Sequence, residues 1–310
     1  MGSNKTSAAS TASASTAEDR IFAILGGILR AANMVSSRFA SRLLYWLWCH
    51  PIRHKPSARE LQFKRGAERS GFSVNGVGYK LYSLGQGPAV LLMHGWDGRA
   101  TQMMAFARPL VEAGFRVVMF DAHGHGEAPG QQTNGVIISD MVVAAAKQVG
   151  GFYGLVAHSM GGSFALVALE QIGIERIVLI APPQSMQTVY GKIEKRLGIP
   201  AAPGRMFRDR FARDFPDVWN RFSIEQIVPR LAHVKGLVVQ DVEDDFVLPD
   251  ESRAVHAKWP GAELFLTEGF GHRKILRAEP VVRKVVEFMK EPDHEEHAPA
   301  VHGASAHAGA

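Results

Sequence analysis

Two spacings of apolar residues alternate along the chain from about residue 70 onward. The run VGYKLYSLG alternates apolar and polar positions and stops at Gly85, which predicts a half-buried strand. AVLLMHG, FRVVMFD, FYGLVAH, ERIVLIAP, KGLVVQD and AELFLTEG are short apolar runs that predict buried strands. Between them, RATQMMAFARPLVEAG, VIISDMVVAAAKQVG and SFALVALEQIG repeat their apolar residues at helical spacing, and a last helix is expected from about Glu279 to Met289. Uninterrupted apolar strands alternating with helices predict an α/β fold with a mostly parallel central sheet flanked by helices. Sites in such sheets form beyond the carboxyl ends of the strands, so the residues just after each strand are the informative ones.

The alternation breaks over about 182–233, which holds TVYGKIEKRLGIP and GRMFRDRFARDFPDVWNRFSIEQIVPRL and no strand pattern. Two or three helices are expected there, inserted between consecutive strands as a cap over the strand ends. Residues 61–290 then form the main domain. Residues 20–60 form a separate amphipathic helical segment, with RLLYWLWCHP stopping its apolar stripe before Pro51. That segment is expected to pack on the main domain. Residues 21–50 also suit peripheral contact with a membrane surface, with Trp46 and Trp48 at the interface. The run IFAILGGIL ends at Arg30 and is too short to span a bilayer. It also follows a polar stretch, unlike a signal peptide. Residues 1–19, rich in Ser, Ala and Thr, and the His-containing stretch 291–310 are expected to be disordered tails.

Composition adds limits. The 310 residues are 46% hydrophobic and 21% charged, the balance of a folded globular chain rather than a disordered one. A net charge of +5 scattered over this length does not make a nucleic-acid surface, and no nucleic-acid partner is expected. Cys49 is the single cysteine, so no intramolecular disulfide forms; this favours the cytoplasm, and Cys49 reads as a small apolar helix residue. The sequence leaves the oligomeric state open.

Candidate chemistry centres on VAHSMGG. A buried strand runs into a helix with Ser159 at the junction, and so sharp a reversal needs small neighbours, here Ala157 and Gly161. This is a small-x-Ser-x-Gly nucleophile elbow with alanine in the first glycine position. It exposes the serine oxygen and sets the backbone N–H of Met160 at a helix start, where developing negative charge is stabilised. A second such donor is expected after an earlier strand, and LLMHGWDG offers the N–H of Trp96. A base is expected after the last strand, where LFLTEGFGHRKIL offers His272. His158, beside the serine, is assigned to packing or pocket shape. The acid that orients the imidazole is sought in GLVVQDVEDDFVLP. Asp245 is chosen for its place before FVLP, Asp244 is the next candidate, and Asp241 and Glu243 read as loop acids.

HGWDG, FDAHGHGEAPG, AHSMGG, DDFVLP and GFGHRKIL, in that order and each after a predicted strand, resemble the α/β-hydrolase fold family over roughly residues 70–290. The resemblance implies a Ser-His-Asp hydrolase that works through an acyl-enzyme and requires no metal or organic cofactor. It matches Ser159 to the nucleophile, His272 to the base, Asp245 to the acid, and Trp96 and Met160 to the oxyanion donors. It also makes Asp121, His123 and His125 a turn after a central strand rather than metal ligands. A serine at the elbow leaves esterase, lipase, thioesterase, amidase and C–C hydrolase chemistry, with a carboxylic ester or thioester as the expected small-molecule substrate. Tyr190, Met206, Phe207, Phe211, Phe215, Trp219 and Phe222 of the insertion suit either an apolar acyl pocket or the insertion's own core. Arg205, Arg208, Arg210 and Arg213 read as helix surface. The rival readings are a ligand-binding protein of the same fold with little turnover, and a membrane-surface lipase.

Overall fold

Alternate residues along the inner strands feed two separate hydrophobic cores. Leu91, Phe120, Leu155 and Leu179 face one; Val90, Met119, Val156 and Val178 face the other. The computed structural model, which describes residues 17–291, places these strands in one eight-stranded sheet of order β1-β2-β4-β3-β5-β6-β7-β8. The strands are β1 (Glu68–Val74), β2 (Val77–Leu84), β3 (Ala89–Met93), β4 (Arg116–Phe120), β5 (Gly154–His158), β6 (Arg176–Ile180), β7 (Lys235–Asp241) and β8 (Glu263–Thr267). β2 runs antiparallel to both its neighbours, and every other pairing is parallel.

Helices cover both faces, which is why β5 and β6 are buried at every residue. One core takes α4 (Met104–Glu112) and α13 (Glu279–Lys290); the other takes α5 (Gly135–Val149), α6 (Met160–Ala168) and α11 (Pro249–Ala257). Local chemistry sets their ends. In α5 the Asn134 side chain accepts the Ile137 N–H, and Gly150 closes the helix in the left-handed conformation.

Strand β1 is an element that the apolar pattern does not predict. Its sequence, ERSGFSV, is polar, and only Phe72 is buried; the strand lies at one edge of the sheet. The available signal was the turn: Asn75 and Gly76 both have positive φ and join β1 to β2 as a two-residue hairpin.

Four α-helices rather than two or three helices occupy the insertion between β6 and β7, α7 (Met186–Leu197), α8 (Ala201–Asp214), α9 (Val218–Arg221) and α10 (Ile224–Ile227), followed by a 3-10 turn at Val228–Leu231. Ahead of the sheet come α1 (Ala17–Val35), α2 (Ser37–Cys49) and α3 (Ala58–Gly66). Most of the expected tails lie outside the described residues; Ala17–Asp19, expected in a tail, belong to α1. The first two helices pack on the insertion. Tyr45 and Trp48 of α2 meet Phe207 and Phe211 edge-on, and Trp48 also meets Tyr190. Gly26 of α1 lies so close to the Leu197 carbonyl that a Cβ there would sit 2.1 Å from its oxygen. These aromatic residues thus bind the insertion to the N-terminal helices. Met206 stays exposed. Arg208 pairs with Glu194 and Arg210 with Asp214 on the helix surface.

Candidate active site

Ser159 stands between β5 and α6 with φ 51° and ψ −133°. A non-glycine residue held at positive φ is strained and persists only where its surroundings enforce it. Here the Ser159 N–H donates to the Ile180 carbonyl at 2.9 Å and its own carbonyl accepts the Gly162 N–H. The small neighbours have a steric cause. A Cβ at Gly161 would lie 2.3 Å from the His94 carbonyl oxygen, and one at Gly95 would lie 3.1 Å from the Ser159 Cβ. Ala157 sits in register with Met93 and Leu179 of the strands on either side. The loop after β3 therefore runs directly against the serine, with Trp96 one residue beyond the contact.

His94 holds that loop. Its Nδ1–H donates to the Gly95 carbonyl at 2.8 Å, and its Nε2 accepts the Ala122 N–H at 3.0 Å. Burial keeps this imidazole neutral, with its pKa below the ordinary value. Asp97 of the same loop accepts the Ile52 N–H at 2.6 Å. Trp96 meets His125 at 5.1 Å and Phe164 at 6.3 Å, and Phe164 meets Phe222 of the insertion at 5.8 Å.

His272 is the second residue of the short helix α12 (Gly271–Lys274), and its Nδ1 lies 2.7 Å from Asp244 Oδ2. Asp244, and not the expected Asp245, is the carboxylate against His272, and Asp245 is exposed. The backbone decides between them. The other oxygen of Asp244 accepts the N–H groups of Phe246 and Val247, both at 2.9 Å, which turns this side chain inward and leaves its neighbour in solvent. The side chain of Asp244 is 0% exposed and that of His272 14%.

Two further residues hold this pair, and their roles are absent from the sequence reading. Asp241, at the end of β7, accepts from Thr267 Oγ1 and from the N–H groups of Glu243, Phe270 and Gly271. Burial opposes its ionisation, but these hydrogen bonds outweigh burial and keep its pKa below the usual carboxylate value. It thereby ties the loop bearing Asp244 to the loop bearing His272. His158, expected to serve packing or pocket shape, donates its Nε2–H to the His272 carbonyl at 3.0 Å. Their rings lie 4.7 Å apart, and burial holds His158 neutral. The residue before Ser159 therefore fixes the backbone of His272.

Asp121 accepts from Lys64 Nζ at 3.0 Å and from the N–H groups of Ala100 and Glu127, so it organises the turn after β4. Lys64 was not singled out by sequence. A surface cleft of about 540 Å³ is lined by Tyr79, Lys80, Tyr82 and Glu127 at the β1–β2 hairpin, apart from Ser159 and His272.

Residues 90–284 match the model of the alpha/beta hydrolase family. The chain belongs to that family. A pimeloyl-acyl-carrier-protein methyl ester esterase from Nitrosospira multiformis is 28% identical over 153 residues, 47% of this chain and 56% of that protein. The match thus spans little more than half of that relative. Among solved structures, an esterase from Exiguobacterium antarcticum superposes with a TM-score of 0.55 at 17% identity, over 72% of this chain and 100% of that one. A membrane phospholipase A described as a bacterial virulence factor superposes with a TM-score of 0.58 at 15% identity, over 88% of this chain and 98% of that one. That last share exceeds the β1–α13 portion alone and so takes in part of the N-terminal helices. At these identities the likeness is one of fold.

Proposed function

We propose that this α/β hydrolase cleaves a carboxylic ester or thioester through an acyl-enzyme formed on Ser159. One observation carries the reading. A buried carboxylate, Asp244, fixes Nδ1 of His272, whose backbone is in turn held by the residue preceding a strained serine. The name of the relative, a methyl ester esterase, supports the ester as substrate, and a structural neighbour is named an esterase. In the proposed cycle Asp244 keeps the proton of His272 on Nδ1, leaving Nε2 free to act as base. Nε2 takes the hydroxyl proton as Ser159 Oγ attacks the carbonyl carbon. The N–H groups of Trp96 and Met160 stabilise the oxyanion. His272 gives the proton to the departing alkoxide or thiolate, and water then releases the acid by the same steps in reverse roles. Helices α7–α10 act as the cap, and the aromatic wall of Trp96, Phe164 and Phe222 receives the apolar part of the acyl group.

The test is a fluorophosphonate probe together with p-nitrophenyl esters of increasing acyl length, run on wild type and Ser159→Ala. Wild type is expected to label and to turn over. Ser159→Ala is expected to fold normally, not to label, and to lose turnover by on the order of 10³-fold or more. Equal turnover by the variant would overturn the reading. Binding of esters without turnover by well-folded wild type would favour a ligand-binding protein instead.

A further inference from the structure

The N-terminal helices are apolar on the face that packs and also on the face that does not. Helix α1 buries Leu29 and Ala32 toward the protein, with Leu25 half-buried beside them, and α1 and α2 both rest on the insertion. On its outer side α1 presents Ile21, Ile24, Ile28 and Val35, which fall within an arc of roughly 60° at helical periodicity. Ile24 is 63% exposed and Val35 83%. Helix α2 presents Phe39 and Trp46 outward, 54% and 52% exposed, on the same side as the exposed Arg38 and Arg42. A chain gains nothing in water from exposing an apolar stripe of this length, and large exposed patches mark interaction sites.

Charge selects the occupant. From Arg30 to Lys55 the sequence carries five cations and no carboxylate; Arg30 and Arg53 bind backbone carbonyls, and Arg38 and Arg42 stand exposed beside Phe39 and Trp46. Aliphatic residues with a tryptophan on a face bordered by arginines suit the boundary between acyl chains and anionic headgroups. Among the described residues no helix is long and apolar enough to cross a membrane, so contact through this face is lateral. We infer that the outer faces of α1 and α2 form a docking surface for an anionic lipid bilayer.

The placement has a consequence for the site. Beyond α2 the chain passes through Pro51 to Ile52, whose N–H is bound by Asp97 beside Trp96. Arg53 then binds the carbonyls of Gly124, Ala128 and Gly130. The lipid-seated helices are thus fastened to the loop that runs against Ser159. Docking itself does not depend on the hydrolytic reading, and its failure would leave that reading intact.

Flotation of the full chain tests it, using vesicles of phosphatidylcholine alone and of phosphatidylcholine with 30% phosphatidylglycerol. Wild type is expected to float with the anionic vesicles, and at least five-fold less with the neutral ones. Ile24→Asp/Ile28→Asp and, separately, Arg38→Glu/Arg42→Glu are expected to cut the floated fraction at least five-fold. Circular dichroism and melting temperature of both variants should match wild type, since all four side chains are exposed. Wild type left at the bottom with anionic vesicles overturns the inference, as do two folded double variants that float like wild type. Absence of vesicle binding with a dimer that Ile24→Asp/Ile28→Asp abolishes in light scattering also overturns it, by assigning the face to a second copy.

Discussion

Asp244 and Asp245 are chemically identical neighbours that differ in what their backbones allow. Asp244 binds two N–H groups downstream of itself and presents its second oxygen to His272, whereas Asp245 faces solvent. Asp244→Asn is expected to lower kcat by on the order of 10³-fold, because an amide no longer favours the required tautomer. Asp245→Asn should leave kcat within about two-fold. Steady-state kinetics on a p-nitrophenyl ester checks both. Gly161 is the second position where a single atom decides. A methyl there meets a backbone carbonyl that cannot rotate away. Gly161→Ala is expected to destabilise the fold by about 2 kcal/mol or more, read by denaturant unfolding. The need for small residues around Ser159 was legible in VAHSMGG. Which of two adjacent acids turns inward was not, because both precede N–H groups that could satisfy an aspartate.

Helix α3 shows how an element outside the sheet supports the site. Ser57 and Glu60 form a reciprocal cap, and Glu60 also takes a bidentate pair from Arg99, at 2.7 and 2.8 Å, and a hydroxyl bond from Thr101. It thereby fastens α3 to the segment that follows the Trp96 loop. Burial opposes ionisation of Glu60, but the bonds from Arg99, Ser57 and Thr101 outweigh it and hold the carboxyl at about 2. A depressed folded pKa stabilises the native state fully above the unfolded value near 4.5 and loses that contribution as pH falls toward 2. Glu60→Gln is therefore expected to cost about 2 kcal/mol at pH 7, since it leaves Arg99 without its partner. The gap from wild type should close between pH 4.5 and 2, as followed by urea unfolding at stepped pH. The start of this element was visible as Ser-x-x-Glu; its partners were not, because Arg99 is 39 residues away.

At the scale of the whole molecule, three buried histidines tie stability to pH. His94, His125 and His158 are kept neutral chiefly by burial, His125 down to about 3. In the unfolded chain each binds a proton near pH 6.5. Their contribution is complete above that pH and is lost as pH falls below it, by up to about 1.4 kcal/mol per pH unit for each histidine. Chemical denaturation at pH 7.5, 6 and 5 is expected to show stability falling steadily. His125→Phe should reduce the slope of stability against pH by up to about one proton.

The sequence by itself determined the alternating architecture, the serine junction, the histidine after the last strand and the helical insertion, because each is written in contiguous residues: apolar period, small neighbours, a glycine stop. Strand β1 escaped, since ERSGFSV buries only Phe72 and a single buried residue makes no apolar period. Tertiary structure alone decided that Asp244 faces His272, that His158 and Asp241 hold that pair in place, and that the aromatic residues of the insertion bind Tyr45 and Trp48. Those outcomes depend on which groups meet across 28 to more than 140 residues of chain. Local propensity carries no information about such meetings.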